Sequence, residues 1–125
     1  MIVIDASAAL AFLQGEPGFE RVRDALADAV IGAVNFSEIL AKLAEKGVGK
    51  EAVGLAVSAL ACPVIDFDRA QAEASADLRP ASRKFGLSLA DRACLALAKL
   101  RGATALTADK VWADLDLGIE IEVIR

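Results

Sequence analysis

The sequence predicts an α/β domain built on a central, mainly parallel sheet of about four to five short strands flanked by helices. Three observations carry that expectation. Val- and Ile-rich runs alternate with Ala- and Leu-rich stretches along the chain, the pattern of strands joined by crossover helices. Hydrophobic residues make up 56% of the 125 residues against 26% charged, enough to fill one core and too apolar for disorder. No repeat, low-complexity tract or linker interrupts the pattern, so residues 1–125 are expected to form one domain.

Taken in order, Ile2 to Ile4 reads as a short buried strand and Ser7 to Leu13 as a helix ending in the turn Gly15–Gly18. Pro17 opens a second helix, on which Phe19, Val22, Leu26 and Val30 recur every three or four residues. Val30 to Val34 reads as the second strand, and Asn35 is placed to cap a helix with an apolar face of Phe36, Ile39, Leu40 and Leu43, stopped by Gly47. Gly49 to Ala61 predicts another helix and Pro63 to Phe67 a third strand. Asp68 starts an Ala-rich helix to Leu78, and Pro80 marks a break. Ser88 to Leu100 is the most apolar helix and ends at Gly102. A strand at Ala103 to Leu106, a short helix at Lys110 to Leu115 and a strand at Ile119 to Ile124 complete the chain.

Composition narrows the chemistry. The absence of His removes Ser-His-Asp and Cys-His catalysis and every His-bearing zinc site. Cys62 and Cys94 form no CxxC pair and read as free thiols of a reducing, cytoplasmic setting. No apolar run approaches the ~18 residues of a membrane span, and the opening MIVIDASAAL has no basic leader. What remains abundant is carboxylate: eighteen acidic against fourteen basic residues give a net charge of −4.

In parallel α/β sheets ligands bind beyond the carboxyl ends of the strands, so acids at strand-to-helix junctions weigh most. Asp5 closes the first strand, Asp109 follows the fourth, Glu38 lies soon after the second and Asp68 follows the third. Asp91 opens an otherwise apolar helix, which aims it at protein rather than bulk water. Helix capping explains several of these acids as well: Ser88-x-x-Asp91 and Asn35-x-x-Glu38 fit the capping box, and Asp68 and Asp109 suit N-caps. Asp5 has no obvious cap to make other than a turn to Ser7. Carboxylates gathered in one cleft need a compensating cation, and oxygen ligands without His or paired Cys select Mg²⁺ or Mn²⁺. Such a cation polarises a phosphoryl oxygen and activates water, so phosphodiester hydrolysis needs no imidazole.

With VIDASAALAFL, NFSEIL, SLADRACLALA and LTADKVW in this order, the chain resembles the PIN-domain family, and within it the VapC-like toxins of toxin–antitoxin pairs. The resemblance implies an acidic cluster of Asp5, Glu38, Asp91 and Asp109, with Asp5 and Asp91 as the most direct metal ligands and the hydroxyls of Ser7 and Thr107 in support. Asp66 and Asp68 match no family position. It implies a Mg²⁺- or Mn²⁺-dependent endoribonuclease leaving 5′-phosphate and 3′-hydroxyl ends. A VapB-like antitoxin would inhibit it, and it would form a homodimer.

Setting those four acids aside leaves fourteen acids against fourteen bases, so net acidity does not exclude RNA. Arg79, Arg83, Lys84, Arg92 and Lys110 are the candidate phosphate contacts, each equally readable as a solvated charge. Trp112 is expected to pack rather than stack on a base. Phe12, Leu13, Phe19 and Val22 are candidates for an apolar groove facing an antitoxin or a second copy. The alternatives are a housekeeping PIN nuclease, a non-catalytic PIN-like module that binds RNA or a partner, and a receiver-type signalling domain. The last wants adjacent acids after the first strand, where this chain has Asp5 followed by Ala6.

Overall fold

A computed structural model describes residues 1–125. Five parallel strands form the sheet: β1 (Ile2–Ile4), β2 (Ala29–Gly32), β3 (Val64–Ile65), β4 (Thr104–Thr107) and β5 (Ile121–Val123), in the spatial order β3-β2-β1-β4-β5. Seven helices flank it: α1 (Ala6–Gln14), α2 (Phe19–Ala25), α3 (Ala33–Glu45), α4 (Lys50–Ser58), α5 (Arg69–Asp77), α6 (Arg79–Ser82) and α7 (Leu89–Arg101).

The period-two alternation of strand side chains divides the core into two layers. Ile4, Ile31 and Leu106 face one side, where α1, α2, α3 and α4 contribute Ala8, Val22, Ile39 and Val53. Val3, Val30 and Ala105 face the other and meet Cys94, Leu95 and Leu97 of α7 together with Trp112. Six consecutive residues of α7, from Ala93 to Ala98, are buried, which accounts for the apolar composition of that segment. Trp112 is fully buried, a packing residue as the sequence suggests. Val22 is likewise fully buried, and Phe12 and Leu13 pack half-buried on the same layer, so these residues build core and Val22 offers nothing to a partner. Cys62 and Cys94 are free thiols, and no helix is long and apolar enough to cross a membrane.

Local boundaries differ from the sequence expectation where tertiary packing overrides pattern. Helix α2 stops at Ala25, a 3₁₀ turn covers Leu26–Asp28, and Val30 joins β2 instead of the helix face. Strand β2 ends at Gly32, and Ala33 and Val34 already belong to α3, so Asn35 is an interior helical residue and caps nothing. Strand β3 is limited to Val64–Ile65, the short outer edge of the sheet.

One glycine is required by close approach. Gly18, at φ 93°, precedes α2, and a Cβ there would lie 2.7 Å from the carbonyl oxygen of Ile124. The α1–α2 turn is thereby pressed onto the end of β5. Arg21 reinforces the contact by donating from Nη2 to Glu122 at 3.0 Å, and that hydrogen bond holds the Glu122 carboxyl below its ordinary range.

Candidate active site

The strand order places a topological switch between β1 and β4, since the chain leaves β1 toward β2 on one side and returns to β4 on the other. The crevice beyond the carboxyl ends of such a strand pair is where α/β sheets bind ligands. Asp5 follows β1 directly, and Ala108 and Asp109 follow β4.

Asp5 is knitted into both strands. Its backbone N–H donates to Leu106 at 3.1 Å, and, contrary to the expectation that it had no cap to make beyond a turn to Ser7, its carboxylate caps α1 by accepting from Ala8 N at 2.8 Å. Thr107 Oγ1 donates to Oδ2 at 2.6 Å, and Ser7 Oγ lies 2.8 Å and 2.9 Å from the two carboxylate oxygens. The hydroxyls are themselves held: Ser7 Oγ accepts from Ala108 N at 2.9 Å and Thr107 Oγ1 accepts from Asp109 N at 3.0 Å. Asp5 is only 4% exposed, and burial pushes its carboxyl up to about 6 from an ordinary 3.8. The hydrogen bonds from Thr107, Ala8 and Ser7 oppose that rise, and the charge of Asp91 adds to it.

The other acids approach the same crevice from helices. Asp91 forms a capping box with Ser88: its Oδ2 accepts from Ser88 N at 2.9 Å, and its own N–H donates to Ser88 Oγ at 3.1 Å. Asp109 caps the 3₁₀ turn Lys110–Asp114 by accepting from Val111 N at 3.0 Å. Glu38 lies 3.6 Å from Lys42 Nζ, one turn further along α3. Asp5, Ser7, Asn35, Glu38, Lys42, Asp91 and Asp109, with Ala6, line one cleft of about 120 Å³. Thr107, fully buried, sits beneath it as a support for Asp5. Behind the cleft, burial pushes the Cys94 thiol well up, and the charges of Asp5, Asp91 and Glu38 push it further.

Sequence reasoning missed two lining residues. Asn35 is 1% exposed, and its Nδ2 donates across to the carbonyl of Ala90 at 3.1 Å, tying the helix of Glu38 to the helix of Asp91. Its spacing three residues before Glu38 puts both on one face of α3, a signal hidden by reading Asn35 as a cap. Lys42, four residues after Glu38, follows the same helical arithmetic.

Among the candidate phosphate contacts one is corrected. Arg92 is buried, and its Nη1 donates to the carbonyl of Ser75 at 3.0 Å, joining α5 to α7. It does not line the cleft, and its guanidinium serves the fold by tying the two helices together. Arg79, Arg83, Lys84 and Lys110 are exposed. Asp68 caps α5 through Gln71 N at 2.9 Å, outside the cleft, as expected of a residue with a structural role.

The lining tests well against a hard divalent cation. It offers four carboxylates and two neutral oxygen-bearing side chains, with no nitrogen or sulfur donor apart from the Lys42 amine and the Asn35 amide. No three carboxylates or thiols close into a ready-made ligand cluster. Mg²⁺ needs no such cage, since one or two carboxylates hold it while waters and substrate phosphates complete its shell.

The sequence matches the PIN domain family over residues 2–117, and the chain belongs to that family. No curated protein matches it by sequence. Solved structures share its fold at low identity. VapBC2 from Rickettsia felis, bound to a DNA fragment of its promoter, has a TM-score of 0.76 at 16% identity over 100% of both chains. A toxin–antitoxin complex from Klebsiella pneumoniae has a TM-score of 0.75 at 18% identity, over 100% of this chain and 98% of that one. VapC20 from Mycobacterium tuberculosis, a toxin that cleaves the sarcin-ricin loop, has a TM-score of 0.70 at 16% identity, over 93% and 97%.

Proposed function

We propose that this PIN domain is a VapC-like toxin, an endoribonuclease of the cytoplasm that depends on Mg²⁺ or Mn²⁺, works as a homodimer and is restrained by a VapB-like antitoxin. The observation that carries the reading is the convergence of Asp5, Glu38, Asp91 and Asp109 on one small cleft at the sheet's switch point. The toxin–antitoxin proteins that share the fold support it.

In this reading Asp5 and Asp91 hold the cation, with Glu38 and Asp109 completing the set. When bound, the ion polarises the scissile phosphate and makes water a competent nucleophile near neutral pH. The chain's own groups supply orientation. Ser7 and Thr107 fix the Asp5 carboxylate in one rotamer, a preorganisation that removes the cost of ordering it during catalysis. Asp91 spends Oδ2 on the capping box and Asp109 spends Oδ1 on its cap, which leaves the other oxygen of each free of protein hydrogen bonds. Glu38, steadied by Lys42, would complete the cation's shell or hold a water in place. Lys42 also keeps a positive charge at the edge of the acidic cleft, available to a substrate phosphate.

The test uses purified protein freed of any partner. Wild type is expected to nick structured RNA in Mg²⁺ and to gain thermal stability in millimolar Mn²⁺, while Asp91→Asn loses the cleavage. Equal cleavage by both proteins sinks the residue assignment, and absence of both cleavage and metal response sinks the nuclease reading.

A further inference from the structure

A second cleft, of about 640 Å³, lies beside the acidic one in chain terms and is built from different chemistry. Its first wall is Pro80, Ala81, Arg83, Lys84 and Phe85, from α6 and the 3₁₀ turn Arg83–Phe85; its second is Asp114 and Asp116. The first wall runs into Ser88, the cap partner of Asp91, and the second is the continuation of the turn that Asp109 caps. The cleft is thus framed by the two segments that enter and leave half of the acidic site.

The charges of the two walls are not paired with one another across this cleft. Arg83 and Lys84 face Asp114 and Asp116 around one volume, yet none of the chain's ion pairs joins the walls. Phe85 is half-buried against the second core layer, which anchors its ring, and Lys84 Nζ stands 5.2 Å from the ring centroid. The volume falls within the ~300–1,000 Å³ typical of small-molecule pockets.

We infer that this cleft is a nucleotide subsite of the RNA-cleaving reading above, on which it rests, and that it selects one base of the bound RNA. Arg83 and Lys84 take the phosphate, Lys84 leaving the ring of Phe85 so that it offers a stacking face, and Asp114 or Asp116 accepts hydrogen bonds from the base edge. A ligand with an anion at one end and N–H donors at the other satisfies both walls at once. An acidic peptide satisfies only the first and is repelled by the second. Because a carboxylate only accepts, the subsite prefers bases that carry an exocyclic amino group, and guanine, with two adjacent donors, above uracil.

Nucleoside 5′-monophosphates titrated into the full chain in EDTA, followed by amide chemical shifts, separate this site from any metal-dependent binding. GMP is expected to perturb amides at 83–86 and 114–116 and to bind several-fold more tightly than UMP. Arg83→Ala with Lys84→Ala should weaken GMP at least tenfold, and Asp114→Asn with Asp116→Asn should level GMP and UMP. Perturbation elsewhere only, indifference to these substitutions, or perturbation by an acidic peptide alone overturns the subsite. In a second arm, cut sites on one RNA are mapped in Mg²⁺ for wild type and the Asp114→Asn, Asp116→Asn protein. A moved pattern supports the subsite. An unchanged pattern in two active proteins rejects it while leaving the nuclease reading intact, and a wild type that cuts nothing rejects the nuclease reading instead.

Discussion

Asp5 and the three other acids of the cleft occupy opposite environments. Asp5 grows from the centre of the sheet, is buried, and owes its position to hydroxyls contributed by the first turn of α1 and by β4. Asp91, Asp109 and Glu38 ride on helices and turns at the rim, each steadied by a partner within four residues of itself. The difference divides the labour of the site. The rim acids cost the fold little, because they reach solvent, and Asp91 and Asp109 also serve helix starts. Asp5 is held against its own solvation, and the raised carboxyl shows it. A group kept charged in such a place is a destabilising feature of the free protein that a bound cation relieves.

The largest effect should come from converting the buried acid. Asp5→Asn is expected to lower RNA cleavage by roughly 10²–10³-fold or more, the scale of losing one preorganised electrostatic group. Its stability should move the opposite way. Folded Asp5 keeps its proton up to about pH 6, whereas the unfolded chain releases it near 3.8. The folded state therefore binds more protons across that window, so stability falls as pH rises from about 4 to 6 and stays lower above it. At 1.36 kcal/mol per pH unit the loss approaches ~3 kcal/mol. Denaturant melts in EDTA should show Asp5→Asn the more stable protein at pH 8, with the advantage shrinking toward pH 4. An asparagine variant less stable than wild type at pH 8 would break the contrast between buried and rim acids.

For the rim, activity and stability should come apart. Asp91→Asn retains an oxygen to accept from Ser88 N, so the helix start survives, while cleavage should drop by about 10²-fold or more. Ser88→Ala removes the reciprocal half of the cap and should cost ~1 kcal/mol with cleavage changed only a few-fold. Single-turnover rates set beside urea midpoints for the two variants decide this. A matching loss of both quantities in both variants would make Asp91 a helix cap and nothing more.

Thr107→Val tests whether the hydroxyl beneath the cleft acts through Asp5. It removes a donor 2.6 Å from Oδ2 and the acceptor of Asp109 N–H. A stability loss of ~2 kcal/mol follows for a buried bond to a charged group. The Thr107 hydrogen bond is also the strongest influence holding the Asp5 carboxyl down. Its removal should move the acidic limb of the cleavage pH profile to higher pH, and a profile that keeps its midpoint would reduce Thr107 to a structural role.

How far these roles could be read in advance depended on whether a residue's partner was local. Asp5 and Asp109 were legible because strand ends are visible as the close of a Val/Ile run, and the switch-point rule gives such positions meaning. Ser88 and Asp91 were legible as a capping box for the same reason of short range. Choosing Glu38 and Asp91 over Asp68 required the family resemblance, since all three suit a helix start. Asn35 was misread because its partner, the Ala90 carbonyl, lies 55 residues away, and nothing nearby marks Gly32 rather than Asn35 as the start of α3. Arg92 failed in the same manner: one position beyond Asp91 on α7, it turns onto α5, and only the contact with Ser75 reveals it as a buried tie.

The smallest effect should come from Lys42. Its contact with Glu38 is long, at 3.6 Å, and joins side chains that are 48% and 31% exposed, so water screens most of the attraction. Lys42→Ala should change stability by no more than ~0.5 kcal/mol, the scale of an i,i+4 pair. Its consequence for the site is predicted to be larger than its consequence for the fold. Loss of the only cationic residue lining the acidic cleft leaves Glu38 unpaired, so Mn²⁺ should bind several-fold more tightly by calorimetry. Binding of RNA should weaken, because a positive charge at the cleft edge is gone. Opposite signs for the two ligands are the expected signature. A Lys42→Ala protein that loses affinity for both would show that the lysine organises the cleft instead of balancing its charge.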